Sequence, residues 1–218
     1  MRDVNKKSNL NSNTYSKKQK ELVLHVKRKV KALFVTHPIR AHGFDHAGRV
    51  SKWAVVIATS EKDNIFLAEM SAWLHDIGRV IEHLPGNKKR HHEYSYEMCR
   101  KWFKEDRAFN VLSKKEKLVI FYAVRYHWNE AADKYKVAWI LRDADKLDAF
   151  GVIGLKRTIE FYNNDENVIL HDLRLRYEMF HNFRSKKARQ IMKSKHLFEP
   201  LRRYQRRILK SKIKPVEL

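Results

Sequence analysis

Asn64-Ile65-Phe66-Leu67-Ala68-Glu69-Met70-Ser71-Ala72-Trp73-Leu74-His75-Asp76-Ile77-Gly78 is the stretch on which the fold of this chain turns. Its apolar run between an Asn and a Gly predicts a helix over 64–77, ended by Gly78. A His-Asp pair at the end of an apolar helix can chelate one cation, the imidazole supplying nitrogen and the carboxylate a hard oxygen. The pair alone says little. With 12 His in the chain, chance gives about 0.6 His-Asp dipeptides, and a second one, His171-Asp172, follows a polar turn with no supporting neighbours.

Working outward, the pattern is helical from Ser16, where Leu22, His25, Val26, Val30, Leu33 and Phe34 recur at three- and four-residue steps. It breaks at Thr36-His37-Pro38, passes through a loop bearing His42 and Gly43, and resumes as a helix over 45–60. Downstream, Pro85-Gly86-Asn87 marks 82–90 as a loop. Helices are expected over 94–104, 114–126, 137–148, 154–162 and 173–183, then over 185–212 with a bend near Pro200. No stretch alternates with the period of a strand, and six Gly and four Pro are too few for a turn-rich β-fold. The expected fold class is all-α, a single-domain helical bundle over 17–213 behind a flexible basic leader, residues 1–16.

Composition bounds the function. A hydrophobic share of 43% with 11% aromatics excludes wholesale disorder. Compact apolar runs such as Trp53 to Ala58 fall far short of the ~20 residues of a membrane span. Residues 1–7 carry no apolar signal region and Cys99 stands alone, so a cytoplasmic protein without disulfides or a cysteine zinc cluster is expected. Lys and Arg number 47 against 25 acids, a net charge of +22. Such an excess draws in nucleotides, nucleic acid, phosphorylated metabolites or an acidic membrane surface, and a merely solvated lysine surface accounts for it equally well.

The His-Asp pair gains weight from its company. Asp45-His46-Ala47-Gly48-Arg49-Val50 stands upstream and Leu141-Arg142-Asp143-Ala144-Asp145-Lys146-Leu147-Asp148 downstream, with His91-His92-Glu93-Tyr94-Ser95 and Arg125-Tyr126-His127-Trp128 between them. Carboxylates on a helix that also carries Ala138, Trp139, Ile140 and Leu141 are costly to bury unless paired or metal-bound. Neither a G-x-x-x-x-G-K loop nor a G-x-S-x-G elbow is present, which removes nucleotide-driven motor chemistry and serine-elbow hydrolysis.

The order His46, His75-Asp76, Asp145 resembles the HD superfamily of metal-dependent phosphohydrolases, whose signature is H…HD…D on separate helices. The local frames are similar too: His46 to Val50 resembles H-x-x-R-V, Leu74 to Gly78 resembles L-H-D-I-G, and Ala144 to Leu147 resembles A-D-x-L, which selects Asp145 over Asp143. His91 to Ser95 resembles H-x-x-x-S/G and favours His91 over His92, while Arg79 departs from the Lys of many members. Regions 143–154 and 184–204 resemble small stand-alone HD hydrolases, some of which cleave nucleotides.

The resemblance implies an HD-type bundle with a central metal site. His46, His75, Asp76 and Asp145 would hold a divalent ion, with open positions for water and a phosphate oxygen. Two imidazoles and two carboxylates suit Mn²⁺, Fe²⁺, Co²⁺, Ni²⁺ or Zn²⁺, with Mg²⁺ as an alternative. Asp76 would orient the water, or bridge to a second metal if His91 and His127 supply one; these two histidines would otherwise face phosphate as acids, and both read equally well as core or solvated residues. Arg49 would pair with a carboxylate near the metal, with substrate phosphate, or in a structural salt bridge. Arg125, Arg142 and Lys146 adjoin motifs, yet each is unexceptional in so basic a chain. Asp143 and Asp148 are expected to hold helix partners, His37, His42, His83 and His92 to lie on the surface or in loops, and Cys99 to be inert.

The expected activity is hydrolysis of a phosphoester or phosphoanhydride in a nucleotide or related phosphorylated metabolite. The alternatives are a cyclic-nucleotide or oligonucleotide phosphodiesterase, and a nucleic-acid-binding protein on an inactive HD scaffold. The last is motivated by the basic tail over 183–213: 13 Lys or Arg against one acid between Arg184 and Lys214, with Phe198 and Tyr204 interleaved. Asp76→Ala should lose most of the divalent metal and the activity, whereas His171→Ala should leave both unchanged; metal analysis of chelator-free protein decides.

Overall fold

The computed structural model describes residues 15–82 and 84–212. Residues 1–14 of the expected leader, His83 and residue 213 of the expected tail lie outside them. The described elements are α1 (Lys17–Thr36), α2 (Phe44–Ser60), α3 (Ile65–Leu74), the short α4 (Arg79–Glu82), α5 (His91–Glu105), a 3₁₀ turn over Arg107–Val111, α6 (Lys114–Tyr126), α7 (Lys136–Asp148), α8 (Gly151–Phe161), α9 (Glu166–His181), α10 (Lys186–Ser194) and α11 (Glu199–Lys212). No strand occurs among the described residues, and the fold is all-α.

Helix α3 is the centre because its sequence allows no exposed face. Phe66, Leu67, Ala68, Met70, Ser71, Ala72, Trp73 and Leu74 are all buried, as a helix apolar on all sides requires. Around it pack α1, α2, α6 and α7. Helix α7 is buried almost throughout, Asp143 and Asp148 included. Asp143 accepts the backbone N–H of Arg184 (3.2 Å) and Ser185 (2.6 Å), which ties α10 to the bundle. Helices α8 to α11 complete the far side, α11 lying on α8 and α9.

Several boundaries differ from the sequence reading, each for a local reason. Tyr15 and Ser16, assigned to the leader, are anchored: the Tyr15 hydroxyl donates to Glu69, and Ser16 caps α1 in a capping box with Gln19. Helix α3 stops at Leu74, so His75 to Gly78 form a turn beyond it rather than its last residues. The expected bent helix over 185–212 is two helices separated at His196, whose φ is 48°. Pro200 starts α11 instead of bending a longer one, because a first-turn proline lacks only an N–H that would have no helical partner.

Gly78 has a larger role than ending a helix. Its backbone N–H donates to Ser95 Oγ (2.8 Å), and a Cβ there would collide with the carbonyl oxygen of His91 and the backbone nitrogen of Ser95. The turn bearing His75-Asp76 and the start of α5 bearing His91 can approach only across a glycine. Gly78→Ala must force these backbones apart, at a cost of about 2 kcal/mol, in the range for overpacking. A fall in Tm of roughly 4–8 °C should accompany it in calorimetry.

Candidate metal centre and adjoining cavity

Two helix ends and one helix start turn three imidazoles toward the interior around Asp76. His75 and His127 are the C-cap residues of α3 and α6. Each turns Nδ1 back to a carbonyl three residues earlier, His75 to Ala72 (2.7 Å) and His127 to Val124 (2.8 Å). These bonds satisfy carbonyls that a helix end leaves without partners. A carbonyl only accepts, so Nδ1 carries the proton and Nε2 a lone pair. His46, in the first turn of α2, places Nδ1 2.7 Å from Asp148 Oδ2, again leaving Nε2 for the interior.

The result is a convergence of acceptors. His46 Nε2 and His75 Nε2 stand 3.2 Å apart. Asp76 Oδ2 lies 3.6 Å from His46 Nε2 and 3.7 Å from His75 Nε2, and Asp145 Oδ1 lies 3.3 Å and 3.8 Å from the same two atoms. Donors held about 2.1 Å from one cation stand about 3.0–3.4 Å apart at octahedral to tetrahedral angles. The other oxygen of Asp76, Oδ1, is buried without a hydrogen-bond partner and lies 3.3 Å from His91 Nε2. Facing lone pairs and an orphaned carboxylate oxygen fit a divalent metal ion. His46, His75 and Asp76 form one group of ligand atoms within 4.8 Å of one another, and Asp76, His91 and His127 form a second.

The electrostatics agree. Burial opposes charge on His46, but hydrogen bonding to Asp145 and Asp148 outweighs it and raises its pKa, so this nitrogen favours a cation. Burial likewise opposes charge on Asp76, yet the Arg79 guanidinium holds its carboxyl well below the usual range. Asp148 stays low because His46 and Arg49 bond to it against the same burial. Burial pushes His91 down, His127 down to about 3 and His42 down to about 2, keeping these rings neutral at neutral pH.

Beside the cluster lies a cavity of ≈ 260 Å³ reached through Asp145 and Arg79. His42, Lys146, Arg157, Thr158, Asp172 and Arg176 supply the rest of its polar wall, and Phe161, Tyr162 and Met179 much of its apolar wall. The cations are held in place: Arg79 Nε donates to Asp76 Oδ2 (2.7 Å), Arg157 to Asp148 and to the carbonyl of Ala41, Arg176 to Asp172 and to the carbonyl of Ala149, and Lys146 Nζ to the carbonyl of Asn182 (3.0 Å).

A bundle with this site is an HD domain, and the chain belongs to the HD-domain superfamily of metal-dependent hydrolases: residues 43–149, from the start of α2 to the end of α7, match the HD domain model. HD domains bind divalent metal ions. Among solved structures, YpgQ of Bacillus subtilis in complex with ADP is 18% identical, covering 92% of this chain and 100% of YpgQ at a TM-score of 0.66. A predicted HD superfamily hydrolase from an uncultured Thermotogales bacterium is 23% identical, covering 88% and 91% at a TM-score of 0.61. An HD-superfamily hydrolase from Bacillus thuringiensis is 20% identical, covering 88% and 95% at a TM-score of 0.60. These likenesses show the fold. No curated protein matches the sequence.

The structure brings His46, His75, Asp76, Asp145, His91 and His127 together. Of the partners expected for Arg49, the structure shows a carboxylate beside the cluster: Arg49 donates through Nε (2.7 Å) and Nη2 (3.1 Å) to Asp148. It therefore acts on His46 through that carboxylate. Asp148, expected to hold a helix partner, is the shared acceptor of His46, Arg49 and Arg157; its position three residues after Asp145 on one helix was the available signal. His92 is buried and stacks on the exposed Trp128, and His42 is half-buried at 5.4 Å from the ring of His46, so neither is a plain surface residue. Arg125 turns away to Glu93 (2.9 Å). His171 is exposed, while Asp172 reaches the cavity wall. Arg157 and Arg176 carried no motif.

Asp148→Asn should remove the charge and one of the two acceptor oxygens that His46, Arg49 and Arg157 share, loosening the His46 tautomer. Affinity for Mn²⁺ or Zn²⁺ is expected to fall about 10–100-fold with helix content retained, read by isothermal titration and circular dichroism.

Proposed function

We propose that this protein is a phosphohydrolase that cleaves a phosphoester or phosphoanhydride of a nucleotide or related phosphorylated metabolite with a metal-activated water. The observation that carries this reading is the junction of two features: the convergent His46, His75, Asp76 and Asp145 atoms open through Asp145 onto a cavity walled by Arg79, Lys146, Arg157 and Arg176. The ADP held by the Bacillus subtilis relative supports a nucleotide as the ligand class.

The four ligand residues would hold the divalent ion, which when bound supplies Lewis acidity toward a phosphoryl oxygen and lowers the pKa of water. The chain does the rest. Arg79, Arg157 and Arg176 present fixed guanidinium groups to phosphate oxygens, the geometry suited to bidentate pairing. They are pinned by carboxylates and carbonyls before substrate arrives, so their alignment costs little side-chain entropy on binding. His91 and His127, whose rings stay neutral, form with Asp76 a second group of ligand atoms that would hold a second divalent ion. Phe161 and Tyr162 offer apolar surface to the non-phosphate part of the ligand.

The test is hydrolysis of nucleoside mono-, di- and triphosphates and cyclic nucleotides with Mn²⁺, Co²⁺, Ni²⁺, Zn²⁺ or Mg²⁺. Asp145→Ala should abolish turnover. Arg176→Gln, which touches no ligand residue, should raise KM about tenfold, the effect of one charge-assisted hydrogen bond, with kcat less affected. Failure of every substrate with every metal would sink the proposal.

A further inference from the structure

The densest exposed charge lies outside the catalytic cavity, on α11. Arg202, Arg203, Arg206, Arg207 and Lys210 are exposed, while Leu201 and Ile208 on the opposite side are each 1% exposed. Steps of one and four residues put the five cations in two adjoining rows along one face, about 12 Å from end to end. The helix is rigidly seated: Leu201 belongs to the core, and the Tyr177 hydroxyl bonds Gln205 Oε1 (3.1 Å). Of the five, Arg203 meets Glu199 (3.1 Å), and no other closes an ion pair among the described residues. Arg202 and Lys193 flank one groove beside the helix, and Arg203 and Arg207 another on its far side, so α11 stands as a basic ridge.

We propose that this ridge binds the sugar-phosphate backbone of double-stranded nucleic acid, a function separate from the hydrolytic site. Charge complementarity carries the proposal, because a duplex presents a phosphate about every 1.7 Å of its axis and the ridge offers fixed cations over several of them. The aromatics decide against single strands. Phe198 packs on Tyr177, Phe150 and Phe180 and lies under Arg202, and Tyr204 is half-buried under Arg207, so neither is free to stack on bases. The apolar residues decide against a membrane, since Leu201 and Ile208 face the protein and Leu209, 43% exposed, is a single apolar side chain beside the cations rather than a stripe to insert. Binding through phosphates alone is indifferent to sequence and strongly salt-dependent.

The test is fluorescence anisotropy of the full chain with a labelled 24-base-pair duplex, the matching single strand, and vesicles of phosphatidylserine and phosphatidylcholine, over a salt series. Arg202→Gln/Arg206→Gln/Arg207→Gln/Lys210→Gln should weaken duplex binding at least tenfold and flatten the log–log salt slope by about 0.9 for each phosphate no longer neutralised. Lys17→Gln/Lys18→Gln/Lys20→Gln/Arg28→Gln removes as much charge from the exposed face of α1 and should leave binding nearly intact. Arg206→Gln/Arg207→Gln, a milder change, should give a smaller loss in the same direction. Equal losses from the ridge and α1 variants would reduce the effect to net charge and overturn the proposal. So would absence of duplex binding, or preference for single strand or vesicles.

Discussion

Acceptors that converge in a largely buried cluster must be given positive charge, and the arrangement of this bundle follows from that requirement. The Nε2 lone pairs of His46 and His75 and the carboxylates of Asp76 and Asp145 lie within 3.8 Å of their neighbours. In a low-dielectric setting such a group repels itself unless cations or donors surround it. The chain supplies part of the answer: Arg79 on Asp76, and Arg49 and Arg157 on the Asp148 that steadies His46. A divalent ion would supply the rest. The residual demand is visible in the raised pKa of His46 and in the unpartnered oxygen of Asp76.

Helix ends are the means by which the histidines meet that requirement. A histidine inside α3 or α6 would have its carbonyl neighbours already bonded within the helix. As C-caps, His75 and His127 find free carbonyls one turn back, and one hydrogen bond both closes the helix and sets the tautomer. The rings of His42, His46, His75, His127, His91 and His92 then follow one another at centroid separations of 5.2–5.6 Å. Close approach of the last two depends on Gly78, where any side chain would collide with the α5 backbone.

The ligand atoms and the cavity come from different parts of the chain. All four proposed ligands fall within 43–149, the stretch that matches the family model. Most of the cavity wall comes from α8 and α9, beyond it: Arg157, Phe161, Tyr162, Arg176 and Met179. The residues that would hold a metal and most of those that wall the cavity therefore lie in different parts of the chain, a division common where loops and peripheral helices surround a rigid scaffold.

Sequence by itself determined the all-α class, because the four-residue spacing of Leu22, Val26, Val30 and Phe34 and the scarcity of Gly and Pro depend only on local chemistry. The family was legible for a similar reason: His46, His75-Asp76 and Asp145 sit in short frames whose order survives without coordinates. Helix ends were read less well, since Pro200 and Gly78 each permit two local outcomes and packing chooses between them. The part played by Arg49, and the gathering of Arg79, Arg157 and Arg176 around one cavity, were decided only by tertiary structure. A guanidinium reaches several ångströms from its backbone, and in a chain with 47 Lys and Arg its partner is set by which helices pack together, a long-range fact that no local spacing encodes.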